Sequence, residues 1–216
     1  MSISRISVLP VVRGGRKALV LGVAGTVLGT ALVGITASPA SAYCTSGMVK
    51  WQSSGTKSLA ANTNFPSGLR NGLKGGLTQW NRTGSGLRYA APTYTGGWQI
   101  YTFRASYSYS SVMGAAPGYA ATQRVGSRHT GGTLYLSNRF RWVNASQDIS
   151  AGKADVQTVV VHEVGHFTGL AHPWRPHCSD GTAYTAAEKA SVMTAIGTGT
   201  RRNLNSDDIA GVKALY

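Results

Sequence analysis

The sequence predicts an α+β domain built round one mixed sheet. Three observations carry that reading. Leu69, Leu73, Leu77 and Trp80 recur at intervals of four, four and three, which lines them along one helix face. Residues 97–104 and 132–136 alternate instead, the pattern of half-buried strands. A valine-rich apolar segment, 154–168, stops at Gly169, and a last apolar stripe of Ile209, Val212 and Leu215 closes the chain. Helix, strands, buried helix and terminal helix in one chain make a layered α+β arrangement.

The chain opens with what reads as an export leader. Arg5, Arg13, Arg16 and Lys17 form a basic start, and residues 18–35 are uncharged and rich in Val, Leu, Ala and Gly. Ala40-Ser41-Ala42 then fits the small-x-small rule for cleavage. Residues 1–42 are therefore expected to be a signal peptide and 43–216 one secreted domain, with a leader of bacterial character. An uncleaved anchor is the alternative, because 18 apolar residues just reach across a bilayer.

Residues 43–216 hold seventeen Lys and Arg against seven Asp and Glu, and no acid precedes Asp148. So basic a surface favours anionic partners or serves solubility alone. With no nucleic-acid motif in the chain, nucleic acid is not an expected partner. Cys44 and Cys178 are the two cysteines, an even count that in an exported protein points to a disulfide. Closing so long a loop would contribute roughly 3–5 kcal/mol.

The first helix should run over 67–81, weakened by Gly72, Gly75 and Gly76. The strand at 97–104 reads Gly-Trp-Gln-Ile-Tyr-Thr-Phe-Arg, and the next comprises Gly132, Thr133, Leu134, Tyr135 and Leu136, ended by Ser137-Asn138. In the second helix, 154–168, Asp155 sits near the start, where a carboxylate suits the positive end of the helix dipole. The last helix begins near Ser206, capped by Asn205 or Ser206, with Asp207 and Asp208 in its first turn.

The chemistry concentrates in His162-Glu163-Val164-Gly165-His166-Phe167-Thr168-Gly169-Leu170-Ala171-His172. Two histidines one helical turn apart project from the same face and can share one Zn²⁺. Gly169 lets the backbone turn and return His172 as a third ligand. Three protein ligands leave one position open, as catalytic rather than structural zinc sites do. Glu163, adjacent to the first ligand, is placed to act on a water and not on the metal.

This extended motif resembles that of the metzincin zinc endopeptidases, closest to the matrix-metalloprotease-like (matrixin) branch. Ser191-Val192-Met193-Thr194 is similar to the methionine turn of those enzymes, Trp80 fits their first helix, and 204–216 resembles their terminal helix. The resemblance implies a metzincin-like zincin. Its parts would be a twisted mixed sheet, an active-site helix carrying the zinc motif, an upper subdomain over about 43–172 and a small lower one over about 173–216. It implies a zinc-dependent endopeptidase that hydrolyses peptide bonds with a metal-activated water. Zn²⁺ would be its cofactor, Glu163 its catalytic base and Met193 an apolar floor beneath the ligands. It further implies protein or peptide substrates and an edge strand that binds substrate. Residues 132–136 are the candidate for that strand, since an unpaired edge accepts a peptide as one more strand. No inhibitory propeptide is visible between the leader and Tyr43, so either activity begins upon export or a separate protein inhibits it; a monomer is expected.

The chain departs from the family pattern in places. The 21-residue gap from His172 to Met193 leaves room for an extra loop, no tyrosine stands directly after Met193, where Tyr184 is a candidate substitute, and acids are scarce for calcium sites. Two readings from other classes stay open: a zinc hydrolase acting on cell-wall amide bonds, and a basic cell-surface binding protein with structural zinc.

Overall fold

The computed structural model describes residues 44–45, 49–95, 102–144, 153–173, 185–194 and 200–216. All belong to one compact unit, Pro39–Tyr216. Helix α1, Arg70–Asn81, follows a 3₁₀ turn over Ser67–Leu69, as the leucine spacing predicts. Leu69, Leu73, Leu77 and Trp80 are all buried. Helix α2, Val156–Thr168, packs against α1. Their crossing runs through the glycines that read as weak points in the sequence. A Cβ on Gly72 would lie 1.9 Å from Val156 Cγ1, and one on Gly76 would lie 2.4 Å from Val160 Cγ1. Helix propensity is given up locally, about 1 kcal/mol per glycine, so that two backbones can approach.

The strands are β1 Lys50–Trp51, β2 Gly55–Lys57, β3 Leu59–Ala61, β4 Leu87–Tyr89, β5 Thr93–Tyr94, β6 Phe103–Tyr107, β7 Gly118–Val125, β8 Arg128–Leu136, β9 Arg141–Val143 and β10 Lys153–Asp155. Six of them form one sheet in the order β1-β8-β6-β3-β5, with β7 on the other side of β8. Every pairing in it is parallel except β7 with β8, which is antiparallel, so the sheet is mixed as expected. Two short parallel pairs, β9 with β10 and β2 with β4, lie outside it. Phe103, Ala105, Leu134 and Leu136 project from the sheet into the core against Val156, Val159, Val160 and Phe167 of α2.

Two expectations shift. The strand predicted at 97–104 starts at Phe103 and continues to Tyr107, while 96–101 lie outside the described residues. The segment 132–136 is a strand, but it is not an edge. It is the end of β8, paired with β6 on one side and with β7 on the other. Alternation reports that one face is buried and says nothing of which edges are paired. β7, on the far side of β8, is an edge strand. Its Gly-Tyr-Ala-Ala-Thr-Gln-Arg-Val carries little apolar alternation, and it reaches the sheet through a tight turn at Gly126, φ 58°.

The last two helices are α3, Ala186–Ala190, and α4, Ser206–Leu215. Asn205 caps α4, accepting from the Asp208 N–H at 3.0 Å while Asp208 accepts from the Asn205 N–H at 2.9 Å. The closing residue, Tyr216, accepts from the Trp51 N–H at 2.9 Å and donates to the Thr168 carbonyl at 3.0 Å, tying the C-terminus to β1 and the end of α2. Among the described residues no helix is long and apolar enough to cross a membrane. Residues 1–43, with the predicted leader, lie outside the described residues.

Candidate active site

Helix α2 is held firmly at both ends. Asp155 is its N-cap and accepts from the Thr158 backbone N–H and hydroxyl, each at 2.7 Å. Arg202 clamps the same carboxylate through Nε at 3.0 Å. That cap starts the helix at Val156, two residues after the predicted start, and leaves 153–155 to pair as β10. Gly169 ends it at φ 98°. A side chain at Gly169 would be strained and would also meet the Val49 carbonyl oxygen at 2.5 Å.

Three imidazoles converge beyond that turn. Nε2 of His172 lies 3.0 Å from Nε2 of His162 and 3.1 Å from Nε2 of His166. The Nδ1 atoms of the two helical histidines face carbonyl oxygens, His162 that of Val192 at 2.7 Å and His166 that of Leu170 at 3.0 Å. A carbonyl only accepts, so both Nδ1 atoms carry the proton and both Nε2 atoms present lone pairs. Nitrogens meeting in this way repel one another unless a cation lies among them. A tetrahedral zinc with Zn–N of about 2.0–2.1 Å would space its ligand nitrogens by about 3.3 Å, close to the separations found. Among the described residues these three are the only group of His, Cys, Asp or Glu that could hold a metal ion. Burial holds the His162 pKa down to about 4 against the pull of the Val192 carbonyl, so the ring is neutral at pH 7, the form that binds metal.

Glu163 is 6% exposed and lines, with the three histidines, a cleft of about 550 Å³ between α2 and β7. Burial pushes its carboxyl up to about 8, with the Ala120 backbone N–H pulling the other way. A divalent cation beside it would favour the carboxylate.

The floor is built from the turn at Ser191–Met193 and from α4. Met193 is 3% exposed. Its Sδ sits so close to α2 that a Cβ on Gly165 would be 2.1 Å from it. Asp208 secures the turn, accepting from the Ser191 hydroxyl at 2.6 Å and the Val192 N–H at 3.2 Å. The Ser191 hydroxyl oxygen in turn accepts from the Met193 N–H at 2.9 Å. Since the Val192 carbonyl orients His162, a hydrogen-bonded path runs from α4 to that ring.

The sequence-predicted residues thus divide. His162, Glu163, His166 and His172 line the cleft together, while Met193 packs against Gly165 of α2 and Gly169 ends that helix. Cys44 is buried beside them, its carbonyl accepting from the Ala171 N–H at 2.7 Å, while Cys178 and Tyr184 lie outside the described residues. Gly132, Thr133, Leu134, Tyr135 and Leu136 stand one strand back from the edge. Two further residues shape the site without a signal in the motif: Asp208, read in the sequence only as a helix-dipole partner, and Gly118. A Cβ on Gly118 would press on Val159 Cγ1 at 2.4 Å and on Glu163 Cγ and Oε1 at 3.0 Å.

The chain is similar to Metalloendoproteinase 4-MMP of Arabidopsis thaliana, 33% identical over 86 residues, which is 39% of this chain and 22% of that protein. It is similar to Metalloendoproteinase 5-MMP of the same plant, 32% identical over 92 residues, with the same two coverages, 39% and 22%. The match thus spans about a fifth of the length of either relative. Among solved structures, myroilysin is similar at TM-score 0.49 and 14% identity, covering 79% of this chain and 86% of that one. The hatching-enzyme zinc-protease HCE-1 of Oryzias latipes (Medaka fish) is similar at TM-score 0.47 and 13% identity, covering 80% and 96%. The Peptidase_M10 model, described as Matrixin, matches residues 77–216, well over half of the chain. The chain belongs to the matrixin family.

Proposed function

We propose that this protein is an exported zinc-dependent endopeptidase, with His162, His166 and His172 holding the metal and Glu163 moving the proton. The observation that carries the reading is the meeting of three ring nitrogens whose partners on two rings are carbonyl oxygens, leaving lone pairs pointed at one spot. That donor set fits zinc: neutral imidazoles, tetrahedral spacing and backbone carbonyls behind the ligands. When bound, zinc supplies Lewis acidity at the scissile carbonyl.

The chain's own residues do the rest. Glu163 accepts a proton from the attacking water at a carboxylate oxygen and passes it to the leaving nitrogen. Gly118 and Ala120 on one side and α2 on the other flank it. The outer edge of β7, unpaired among the described strands, lies along the cleft and suits an extended substrate added as one more antiparallel strand. Met193 underlies the site and Gly169 turns the chain towards His172. The leader at 1–42 supports export of a mature domain over 43–216. A disulfide between Cys44 and Cys178 is supported because no described cysteine is free and the chain has two. It would anchor the start of that domain beside the third histidine.

Glu163→Gln tests the proposal. Zinc content should stay at one per chain while cleavage of casein falls by about 10³-fold or more. A variant that keeps full activity sinks the role given to Glu163. Wild-type protein that contains zinc but cleaves purified cell wall and not casein would shift the activity to another amide.

A further inference from the structure

Along β7 every second residue from Gly118 to Arg124, that is Gly118, Ala120, Thr122 and Arg124, lines the cleft, joined by Tyr119 at its Gly118 end. The first three are small, and the fourth is an exposed cation. Opposite Arg124 on β8 stands His129, and the ladder slips just there: Gln123 pairs with Gly131, but Arg124 pairs with His129, so Thr130 is an extra residue. In an unbroken register Thr130 would point inward and His129 outward. The bulge reverses them, leaving Thr130 exposed and His129 5% exposed.

His129 packs on Trp51, with ring centroids 5.4 Å apart, and lines the cleft with Arg124. Neither of its ring nitrogens makes a well-formed hydrogen bond, although the backbone carbonyls of His166 and Gln123 lie close enough to favour its protonated, donating form. Buried polar groups are normally satisfied, and one left idle on the wall of an open cleft is placed to meet a ligand. Among the described acids only Glu163 lines the cleft, and it sits beside Gly118, at the far end of β7 from Arg124.

We propose that Arg124 and His129 form a carboxylate-accepting subsite that selects substrates with an acidic side chain three or four residues N-terminal to the cleaved bond. The inference rests on the endopeptidase reading. A peptide running antiparallel to β7 has its N-terminal side towards Val125. With the cleaved bond near Ala120, whose N–H faces Glu163, the position opposite Arg124 is four residues, or about 13 Å, upstream. A carboxylate there accepts from the guanidinium and from an imidazole N–H.

The test uses fluorogenic peptides that differ only in Glu, Gln or Lys at the third and fourth residues before the cleaved bond. Zinc-loaded wild-type protein should rank them Glu, Gln, Lys in kcat/KM, with about tenfold between Glu and Gln. Arg124→Glu, at an exposed position, should invert the order of Glu and Lys. His129→Phe, which keeps a ring against Trp51, should bring the Glu-to-Gln ratio towards one. The same peptides are bound to Glu163→Ala and followed by fluorescence anisotropy, which reads the preference without turnover. Equal kcat/KM for Glu and Gln, or an unchanged order in Arg124→Glu, overturns the subsite and leaves the protease reading standing. If no peptide is cleaved at all, the protease reading fails instead, and the anisotropy ratio alone decides the subsite.

Discussion

The two walls of the cleft are built by different physics. The wall formed by α2 and the turn beneath it is pinned by polar side chains. Asp155 holds its start, Asp208 holds the turn, and carbonyls orient two of the three histidines. The wall formed by β7 is held by backbone pairing to β8 and by the smallness of its residues, Gly118 and Ala120. A buried polar tie is demanding because its loss strands every partner. A wall of small residues is demanding in the opposite sense, since it tolerates loss and rejects addition. Removing atoms should therefore damage the first wall, and adding them should damage the second.

Asp208→Ala is the strongest test of the polar wall. It strands the Ser191 hydroxyl and the N–H groups of Val192 and Asn205. A loss of about 3 kcal/mol in urea unfolding is expected, or close to 10 °C in Tm. Zinc affinity should fall by about 10-fold or more, because the Val192 carbonyl no longer sits firmly behind His162. If chelator titration gives the wild-type affinity in this variant, the hydrogen-bonded path from α4 to the ring does not matter.

Gly118→Ala tests the other wall. One added methyl would lie 2.4 Å from Val159 Cγ1 and 3.0 Å from Glu163 Oε1, so the carboxylate has to move. A shift of about 1 Å at a catalytic group lowers kcat by up to about 100-fold. Zinc content should not change, because the nearest atoms the added methyl meets belong to Val159 and Glu163 and not to a histidine. Wild-type kcat in Gly118→Ala would mean the strand wall does not position Glu163.

The same contrast explains what could be read from the sequence. Polar ties leave marks in it: a histidine pair at helical spacing, Gly169 where the chain must turn, Asp155 before an apolar run. The α2 wall was legible for that reason, together with the helix over 67–81 and the cap at Asn205. Packing by absence leaves no such mark. Gly72 and Gly76 score as helix weaknesses, and only the crossing with α2 shows them as contact points. Strand β7 carries no strong alternation, so the sequence points to 132–136 for the edge, one strand too deep. The bulge that turns His129 inward exists only in the pairing of two strands. Asp208 carried a helix-dipole signal that was correct but incomplete, since its partners at 191 and 192 are distant in sequence.

The smallest effect concerns Asp207, the neighbour of Asp208 in α4. It is 8% exposed, and burial, with the nearby charges of Asp208 and Glu188, pushes its pKa up to about 6 from 3.8. The folded protein therefore binds this proton more tightly than the unfolded chain does. The corresponding stabilisation is complete below about pH 4 and is lost as pH rises to about 6. Two units at one group would be close to 3 kcal/mol, and partial solvation reduces that to about 1 kcal/mol. Asp207→Asn removes the titration. The difference in unfolding free energy between wild type and variant should thus drop by about that amount between pH 4 and pH 7, to the disadvantage of wild type at the higher pH. A difference that stays flat over this window would show that the carboxylate is fully hydrated. It would also confine the polar wall's sensitivity to Asp208, the residue that touches the turn.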